Sequence, residues 1–263
     1  IPPGANIKMQ PQDNLRPAHR TGMERPTSPL APSPAPTQTF LGYVDPGDGI
    51  PPDTHGAIGP NHVVTATNDF LRVHTRTGAV LSTVSITTFA GVPNTCDPYI
   101  KFDQVSNRWY YSAIDCSGNN GNRVAVLVSQ SADPTGNWFR YTFVPNVPSG
   151  SFFLDHPYLG VDERWVVISG RKFPSGGFSG PILFVLDKAR LMNSQNLTFG
   201  VDAQAIEKTT ADGDAPLPVT LQGPNPSPGT FYILQNWNGG QGSIRLTTLT
   251  GNLPNVSWNT TSA

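Results

Sequence analysis

Aspartates in glycine- and proline-rich turns are the residues of this chain best suited to bind a metal ion or a ligand. The stretch DPGDGIPPDTHGAIGPNH runs from Asp45 to His62 and contains three aspartates and two histidines. Carboxylate oxygens on flexible loops are the ligands that calcium prefers. We therefore expect calcium as a cofactor, held by aspartates on two such loops: Asp45, Asp48, Asp212 and Asp214.

A second set of aspartates precedes successive groups of predicted strands, and it consists of Asp53, Asp97, Asp155 and Asp214. If they converge, two carboxyl groups about 5 to 10 Å apart could act as acid and base or nucleophile in glycoside hydrolysis. They could equally bind a ligand or a cation, or accept backbone N–H groups within their own turns. The candidate catalytic residues are Asp53, Asp97 and Asp155. The candidate ligand-binding residues are Asp53, His55, Asp97, Asp155, His156 and Asp214.

The rest of the sequence gives catalysis little support. The glutamates are Glu24 in a tail, Glu163 at a hairpin tip and Glu207 in a predicted helical or loop insertion, so a glutamate acid has no clear candidate. The arginines are scattered over different strands, and no histidine pair has the spacing of a metal-binding helix. The sequence leaves open whether the protein is an enzyme.

Composition favours a turn-rich β protein and excludes some partners. Among 263 residues there are 26 glycines and 27 prolines, which disfavours long helices. Charged residues make up 13% and the net charge is -1, so we expect no nucleic-acid partner. No apolar run reaches the roughly 18 residues of a membrane-spanning helix, and we expect no membrane insertion.

The two cysteines, Cys96 and Cys116, bracket two alternating strands joined by a turn. Antiparallel pairing across that turn places them about opposite each other, at a separation that suits a disulfide, although two buried free thiols would also fit. A disulfide, low charge and three Asn-x-Ser/Thr sequons, at Asn196, Asn255 and Asn259, favour a secreted protein that is extracellular or on the cell surface.

Alternating hydrophobic residues predict four groups of antiparallel strands. The first group comprises 62–68, 70–76 and 79–86, and the second comprises 98–103, 108–115, 123–130 and 138–144. The third comprises 156–162, 164–173 and 181–187, and the fourth comprises 215–222, 230–237 and 243–250. One short helix is predicted at 187–196, with Asp187 as its N-cap.

The groups also resemble one another in sequence. The segment CDPYIKFDQVSNRWYYSAI matches LDHPYLGVDERWVVISG in an aspartate, a Pro-Tyr pair, a strand-ending aspartate and an Arg-Trp pair. Repeated meanders are typical of β-propeller blades, each of which buries its faces against its neighbours. We predict an all-β fold, a β-propeller of four-stranded blades with four repeats visible. A β-sandwich is the alternative, and residues 39–44 could supply a strand that closes the ring.

One hairpin carries a resemblance to a known family. The segment SQSADPTGNW resembles the Asp box of sialidase-like propellers through Ser131, Asp133, Gly136 and Trp138, with the glycine one place late. The openings DPYIKF and WYYSAI are similar to the blade starts of five-bladed glycoside hydrolases. The order of these motifs resembles that of secreted bacterial propeller proteins, which are mostly uncharacterised. The resemblance implies the fold but no activity, because propellers host unrelated functions.

The chain divides near residue 40 into an extended arm, 1–40, and a propeller domain, 41–263. The arm contains RPTSPLAPSPAP, a polyproline-type linker, and is either a loose stalk or a segment that orders on a neighbouring subunit. We expect a non-catalytic surface or matrix module that binds an extracellular glycan, or other copies of itself through the arm. The alternative is a polysaccharide-active enzyme with aspartates at the mouth of the central channel.

Overall fold

The structure, a computed structural model, describes residues 34–44, 51–118, 121–145, 147–175, 177–237 and 243–260. Within these ranges the chain forms four antiparallel sheets of four strands each, one after another along the sequence. The predicted all-β class and the four-stranded blades are confirmed. No helix among the described residues is long and apolar enough to cross a membrane. Residues 1–33 of the predicted arm lie outside the described residues, and so do Asp45 and Asp48 of the predicted propeller domain.

The first sheet consists of β1 (His55–Ile58), β2 (His62–Ala66), β3 (Phe70–Thr75) and β4 (Val80–Ser85). Three of these strands match the sequence prediction, but β1 was not predicted. Its sequence HGAI contains two small residues and one β-branched side chain, which is a weak strand signal. Pairing with β2 along its whole length nevertheless holds it in the sheet. The helix α1 (Ile86–Ala90) begins where the last predicted strand was expected to end.

The second sheet contains four strands, all of them predicted: β5 (Thr95–Asp103), β6 (Arg108–Asp115), β7 (Val124–Ser129) and β8 (Trp138–Phe143). The pairing of β5 with β6 shifts its register between Cys96 and Tyr99, which places a bulge near the start of the innermost strand. Cys96 and Cys116 form a disulfide with a Cα–Cα distance of 5.9 Å, so the predicted bridge is confirmed.

The third sheet consists of β9 (Phe153–Val161), β10 (Trp165–Phe173), β11 (Pro181–Asp187) and β12 (Ala203–Glu207). Between β11 and β12 lies the helix α2 (Lys188–Met192), and the Asp187 carboxylate accepts a hydrogen bond from the Arg190 N–H, as predicted for its N-cap. Glu207, expected in a helical or loop insertion, ends β12 instead. The weak strand propensity of AQAIE is overridden by pairing with β11.

The fourth sheet consists of β13 (Leu217–Pro218), β14 (Phe231–Trp237), β15 (Ser243–Asn252) and β16 (Asn255–Thr260). The strand β13 is shorter than the predicted 215–222, because Pro216 and Pro218 have no backbone N–H to donate to a neighbouring strand. The strand β16 was not predicted. It forms the outer edge of the sheet by pairing with β15.

Three apolar layers hold successive sheets together, and the residues named below from each layer are at most 2% exposed. Between the first and second sheets lie Val64, Leu71, Ile100, Trp109 and Leu127. Between the second and third lie Tyr110, Val126, Leu159, Ile168 and Phe184. Between the third and fourth lie Val167, Val185, Phe231, Ile233 and Leu249. Burial of each sheet against its neighbour is the main stabilising term for this fold.

The segment 39–44, which was expected to close the ring as a strand, is not a strand. It lies on the face of the first sheet that points away from the second sheet. The Phe40 ring is 5.2 Å from the His74 ring, and the Tyr43 ring is 5.7 Å from the Phe70 ring. The Arg72 guanidinium lies 4.6 Å from the centre of the Tyr43 ring. The segment therefore covers the outer face of the first sheet.

Candidate functional site

The starts of the innermost strands of the four sheets lie close together in space. One carboxylate oxygen each of Asp53 and Asp97 and one ring nitrogen of His156 lie within 4.8 Å of one another. Arg171 contacts both Asp155 and Asp214. We call these five acidic and histidine residues, Asp53, Asp97, Asp155, His156 and Asp214, the aspartate cluster. The structure thus brings together the residues that the sequence places at the start of each group.

An unusual backbone conformation recurs near the start of the innermost strands, just before β1 and in the first residues of β5 and β9. Asp53, Asp97 and His156 have positive φ angles of 43°, 53° and 52°. Aspartate and histidine occupy this left-handed region more readily than most residues. Asp97 and His156 are equivalent in the repeat, because each precedes a Pro-Tyr pair. The repeated turn therefore presents a polar side chain from each of the first three sheets at the same end.

Hydrogen bonds join the first three sheets within the aspartate cluster. The Asn68 side chain donates to Asp53 Oδ2 at 2.7 Å, and its Oδ1 accepts from the Asp97 N–H at 2.8 Å. The Asp97 carboxylate in turn accepts from the His156 N–H at 3.2 Å. The Asp97 side chain is only 8% exposed. Asp97 therefore locks the turns of three sheets to one another.

The buried position of Asp97 changes its acidity. Burial raises the pKa of Asp97 to about 6, and His156 opposes that rise, while the nearby carboxylates of Asp155 and Asp53 add to it. The side chain of Asp53 also hydrogen-bonds to Asp97, which raises the pKa further. A carboxyl group that titrates near pH 6 stays protonated in mildly acidic solution, which is the acidity that a general acid working there needs.

The side of the cluster nearest the fourth sheet is more open. Arg171 Nε donates to Asp214 Oδ1 at 2.7 Å, and Arg171 Nη1 lies 3.6 Å from Asp155 Oδ2. The Asp214 side chain is 61% exposed and that of Arg171 is 25% exposed. The Arg171 guanidinium also lies over the rings of Phe173 and Phe178, at 5.2 and 5.4 Å. This side of the cluster therefore presents a positive charge on Arg171, a negative charge on Asp214, and the nearby rings of Phe173 and Phe178.

Aromatic rings line the cluster from one sheet to the next. The rings of Tyr99 and Tyr158 are 5.2 Å apart, the His55 ring packs 4.8 Å from Tyr99, and the His156 ring stacks 5.8 Å from Tyr158. Burial raises the pKa of Tyr158 to about 12 and raises that of Tyr99, so both phenols stay neutral at physiological pH. Burial, assisted by Lys101, lowers the pKa of His55 to about 4, which keeps this imidazole neutral.

The predicted calcium ligands within the described residues are engaged by protein groups. The Asp212 carboxylate accepts from the Thr209 N–H and hydroxyl, both at 3.1 Å, and Asp214 pairs with Arg171. The set of Asp53, Asp97 and His156 could instead hold a divalent cation. Because this set includes an imidazole nitrogen, it suits manganese or zinc better than calcium, which prefers oxygen ligands.

The hairpin between β7 and β8 contains the four residues compared above with an Asp box. Ser131 Oγ accepts from the Asp133 N–H at 3.2 Å, and the Gly136 N–H donates to the Asp133 carbonyl at 3.3 Å. The Trp138 indole N–H donates to a carbonyl of the same turn at 3.0 Å. These bonds stiffen the hairpin, so its residues have a structural use. His62 lies beside this hairpin, 3.8 Å from Asp133.

Sequence reasoning missed Tyr99, Asn68 and Arg171 as residues of the site. Tyr99 and Tyr158 occupy the same place in the repeated Pro-Tyr pair, so the repeat could have identified Tyr99. Asn68 and Arg171 carry no such signal. Each contacts a different sheet from its own, and these contacts depend on how the sheets stack.

No protein-family model and no curated protein sequence matches the chain. Among solved structures it is similar to PorZ of Porphyromonas gingivalis, described as an essential bacterial surface component of the type-IX secretion system. The match has 10% sequence identity and a TM-score of 0.18, and it covers 80% of this chain. The chain spans 38% of the PorZ chain. A likeness this distant carries no argument about function.

Proposed function

We propose that this chain is a non-catalytic, extracellular propeller domain that binds a glycan at the aspartate cluster. The observation that carries the proposal is the solvent-accessible Arg171–Asp214 ion pair beside Asp155 and Tyr158. Sugar hydroxyl groups both donate and accept hydrogen bonds, so they match a guanidinium next to carboxylates. The C–H faces of sugar rings pack against aromatic rings, which Tyr158, Phe173 and Phe178 supply here.

Burial of the most acid-like group argues for binding without turnover. A general acid must come within hydrogen-bond distance of the glycosidic oxygen. Asp97 has the raised pKa, but its side chain is 8% exposed and already accepts the His156 N–H. The exposed carboxylate, Asp214, is held by an arginine instead. Asp97 therefore has the acidity of a general acid but is not within reach of a ligand, whereas Asp214 is within reach but is held by Arg171.

The disulfide supports an extracellular location, because such bonds persist in oxidising compartments. The similarity of Ser131, Asp133, Gly136 and Trp138 to the Asp box of secreted propellers supports the same location. Calcium as a stabilising ion on the loops that carry Asp45, Asp48, Asp212 and Asp214 stays a separate proposal, and it would compete with the Arg171–Asp214 pair on which the glycan site depends.

A polysaccharide-active enzyme is the second candidate, and one observation favours it. Asp53 and Asp97 bring two carboxyl groups together in one cluster, with an oxygen of each within 4.8 Å of the other, and glycoside hydrolases use a pair of carboxyl groups. The raised pKa of Asp97 suits the acid, and Asp53 or Asp155 would then be the nucleophile or base. Such an enzyme would need Asp97 to become accessible when the substrate binds.

Affinity electrophoresis in gels that contain a neutral glucan, a mannan or a polyuronate tests the glycan proposal. We expect at least one polysaccharide to retard the wild-type protein and the retardation to be lost in Arg171→Gln and in Asp214→Asn. Asp133→Asn is the matched control, because it removes an exposed acid in the β7–β8 hairpin and should leave retardation unchanged. Absence of retardation in all three gels, or equal retardation of the wild type and the Arg171→Gln and Asp214→Asn variants, would contradict the proposal.

A reducing-end assay on the same polysaccharides separates binding from catalysis. We expect no release of reducing ends by the wild-type protein. Release that is abolished by Asp97→Asn, in a variant that still shows retardation, would replace the binding proposal with the enzyme.

A further inference from the structure

Three side chains able to bind a metal ion come from three different sheets and meet at one end of the stack. Asp53 stands two residues before β1, Asp97 lies in β5, and His156 lies in β9. One carboxylate oxygen of each aspartate and one ring nitrogen of the histidine lie within 4.8 Å of one another. Two carboxylates and an imidazole form a ligand set that divalent transition metals accept in proteins. Because the three residues belong to separate sheets, the set exists only in the folded chain.

The imidazole and the Asp97 carboxylate are spaced like two ligands of one ion. His156 Nδ1 lies 3.7 Å from Asp97 Oδ2, which is too long for a hydrogen bond. Ligand atoms about 2.1 Å from a tetrahedral zinc ion lie about 3.4 Å from one another. The other pairs of ligand atoms lie within 4.8 Å. Rotation of the half-buried Asp53 and His156 side chains is therefore enough to close the set around an ion.

Asp53 and Asp97 lack the counter-charge that the other acids of the aspartate cluster have. Asp155 and Asp214 share the Arg171 guanidinium. Among the described residues, no lysine or arginine lies within ion-pair distance of Asp53 or Asp97. Two adjacent carboxylates, one of them buried, repel each other unless a proton or a cation lies between them. The pair therefore offers uncompensated negative charge to a cation.

Neighbouring side chains hold the three ligands in place. The Asn68 amide donates to Asp53 Oδ2 at 2.7 Å, and its oxygen accepts from the Asp97 N–H at 2.8 Å. The His156 ring stacks 5.8 Å from the Tyr158 ring. Metal ligands in proteins are usually oriented by outer contacts of this kind. Because the His156 side chain is 32% exposed, an ion has a path from solvent and room for water ligands.

We propose that Asp53, Asp97 and His156 bind one divalent transition-metal ion, zinc in preference to manganese, and that this ion joins the first three sheets. The imidazole nitrogen favours zinc over calcium, which prefers oxygen ligands. Zinc also binds a given site more tightly than manganese does. The ion neutralises the two carboxylates that no lysine or arginine of the described residues reaches. The site uses neither Arg171 nor Asp214, so zinc binding and glycan binding can fail independently of each other.

The Cys96–Cys116 disulfide lies beside this site and must stay intact in the test. Its two sulfur atoms and a carboxylate oxygen of Asp97 also lie within 4.8 Å of one another. Bridged sulfur atoms do not bind zinc, whereas reduced thiolates would create a competing site. The protein is therefore stripped of metal with a chelator in the absence of reductant, and thiol titration verifies that both cysteines remain bridged.

Calorimetric titration of this protein with zinc chloride at neutral pH tests the proposal. We expect one zinc ion per chain. Saturating zinc should raise the melting temperature by roughly 5 °C, because an ion that binds only the folded chain stabilises it. His156→Asn and Asp53→Asn should each weaken zinc binding at least about tenfold, since each removes a ligand. Asparagine tolerates the positive φ angle of both positions, so circular dichroism should show an unchanged fold.

His62→Asn is the matched control. His62 lies 3.8 Å from one carboxylate, that of Asp133, and the described residues give this pair no third ligand. Its zinc affinity should equal that of the wild type. Absence of zinc binding by the wild type would overturn the proposal, as would wild-type affinity in either His156→Asn or Asp53→Asn. Loss of binding in His62→Asn, or displacement of zinc by an equal concentration of calcium, would also overturn it.

Discussion

The Lys188 ammonium group lies 2.6 Å from Asp103 Oδ2, and the two side chains are only 4% and 1% exposed. Lys188 begins α2 in the third sheet, whereas Asp103 ends β5 in the second. Burial by itself raises the pKa of Asp103, but bonds from Lys188 and Ser106 outweigh it and hold that pKa below its ordinary value. A buried ion pair therefore ties two sheets together.

Replacing Lys188 by methionine should lower the free energy of unfolding by about 3 kcal/mol or more, because it leaves the Asp103 carboxylate buried without its counter-charge. Urea denaturation followed by circular dichroism measures the change. The double variant Lys188→Met/Asp103→Asn should recover much of the loss, since no charge then remains buried. A double variant as unstable as the single one would show that the ion pair is not the cause.

The raised pKa of Asp97 predicts a specific dependence of stability on pH. A carboxyl group whose pKa is higher in the folded state contributes stability below its ordinary pKa near 4, and loses this contribution as the pH rises through about 6. The shift of about two units corresponds to about 2–3 kcal/mol. Asp97→Asn cannot ionise and keeps an oxygen for the His156 N–H, so it should lack this loss.

Urea denaturation at about pH 4.5 and about pH 7 checks this prediction, with the wild type compared against Asp97→Asn at each pH. The variant should gain stability relative to the wild type between the two conditions. A difference between the two proteins that is the same at both pH values would mean that Asp97 keeps an ordinary pKa in the folded protein.

Loss of the Cys96–Cys116 disulfide should destabilise the protein moderately. The bridge closes a loop with a sequence separation of 20 residues, for which the chain-entropy estimate is about 3 kcal/mol. The double variant Cys96→Ser/Cys116→Ser should therefore unfold at lower urea concentration than the oxidised wild type. The wild type treated with reductant should match the variant. If reduction leaves the wild-type transition unchanged, the cysteines are not bridged in solution.

Asn122 should be more important for stability than Asn68, although both join neighbouring sheets. Asn122 is 4% exposed, donates to the Leu154 carbonyl at 2.9 Å and accepts from the Leu154 N–H at 2.8 Å. Asn122→Ala leaves both groups buried and unpaired, at a cost of about 3 kcal/mol. Asn68→Ala should cost about 1 kcal/mol, because water can replace its less buried bonds. Thermal unfolding of both variants measures the comparison, and equal losses would contradict it.

Strand prediction succeeded where a strand carries a run of hydrophobic residues, as in β6 and β10, and failed for β1, β12 and β16. These three strands are six residues or shorter and contain small or polar residues such as Gly56, Gln204 and Asn259. Each is held by a neighbouring strand whose own signal is stronger. Local propensity alone could not identify them, because their pairing energy comes from residues elsewhere in the chain.

The repeated sheets, the disulfide pair and the turns that contain Asp97 and Asp155 could be predicted from the sequence. Hydrophobic patterning and turn chemistry are local properties of the chain, so they can be read without the fold. The tertiary structure alone decided which carboxylates meet solvent. Asp155 and Asp214 each stand two residues before the proline of the repeat, Pro157 and Pro216, yet the Asp155 side chain is 14% exposed and that of Asp214 is 61% exposed. Burial and charge partners come from sheets distant in sequence, so acidity and accessibility at the site arise only when the sheets stack.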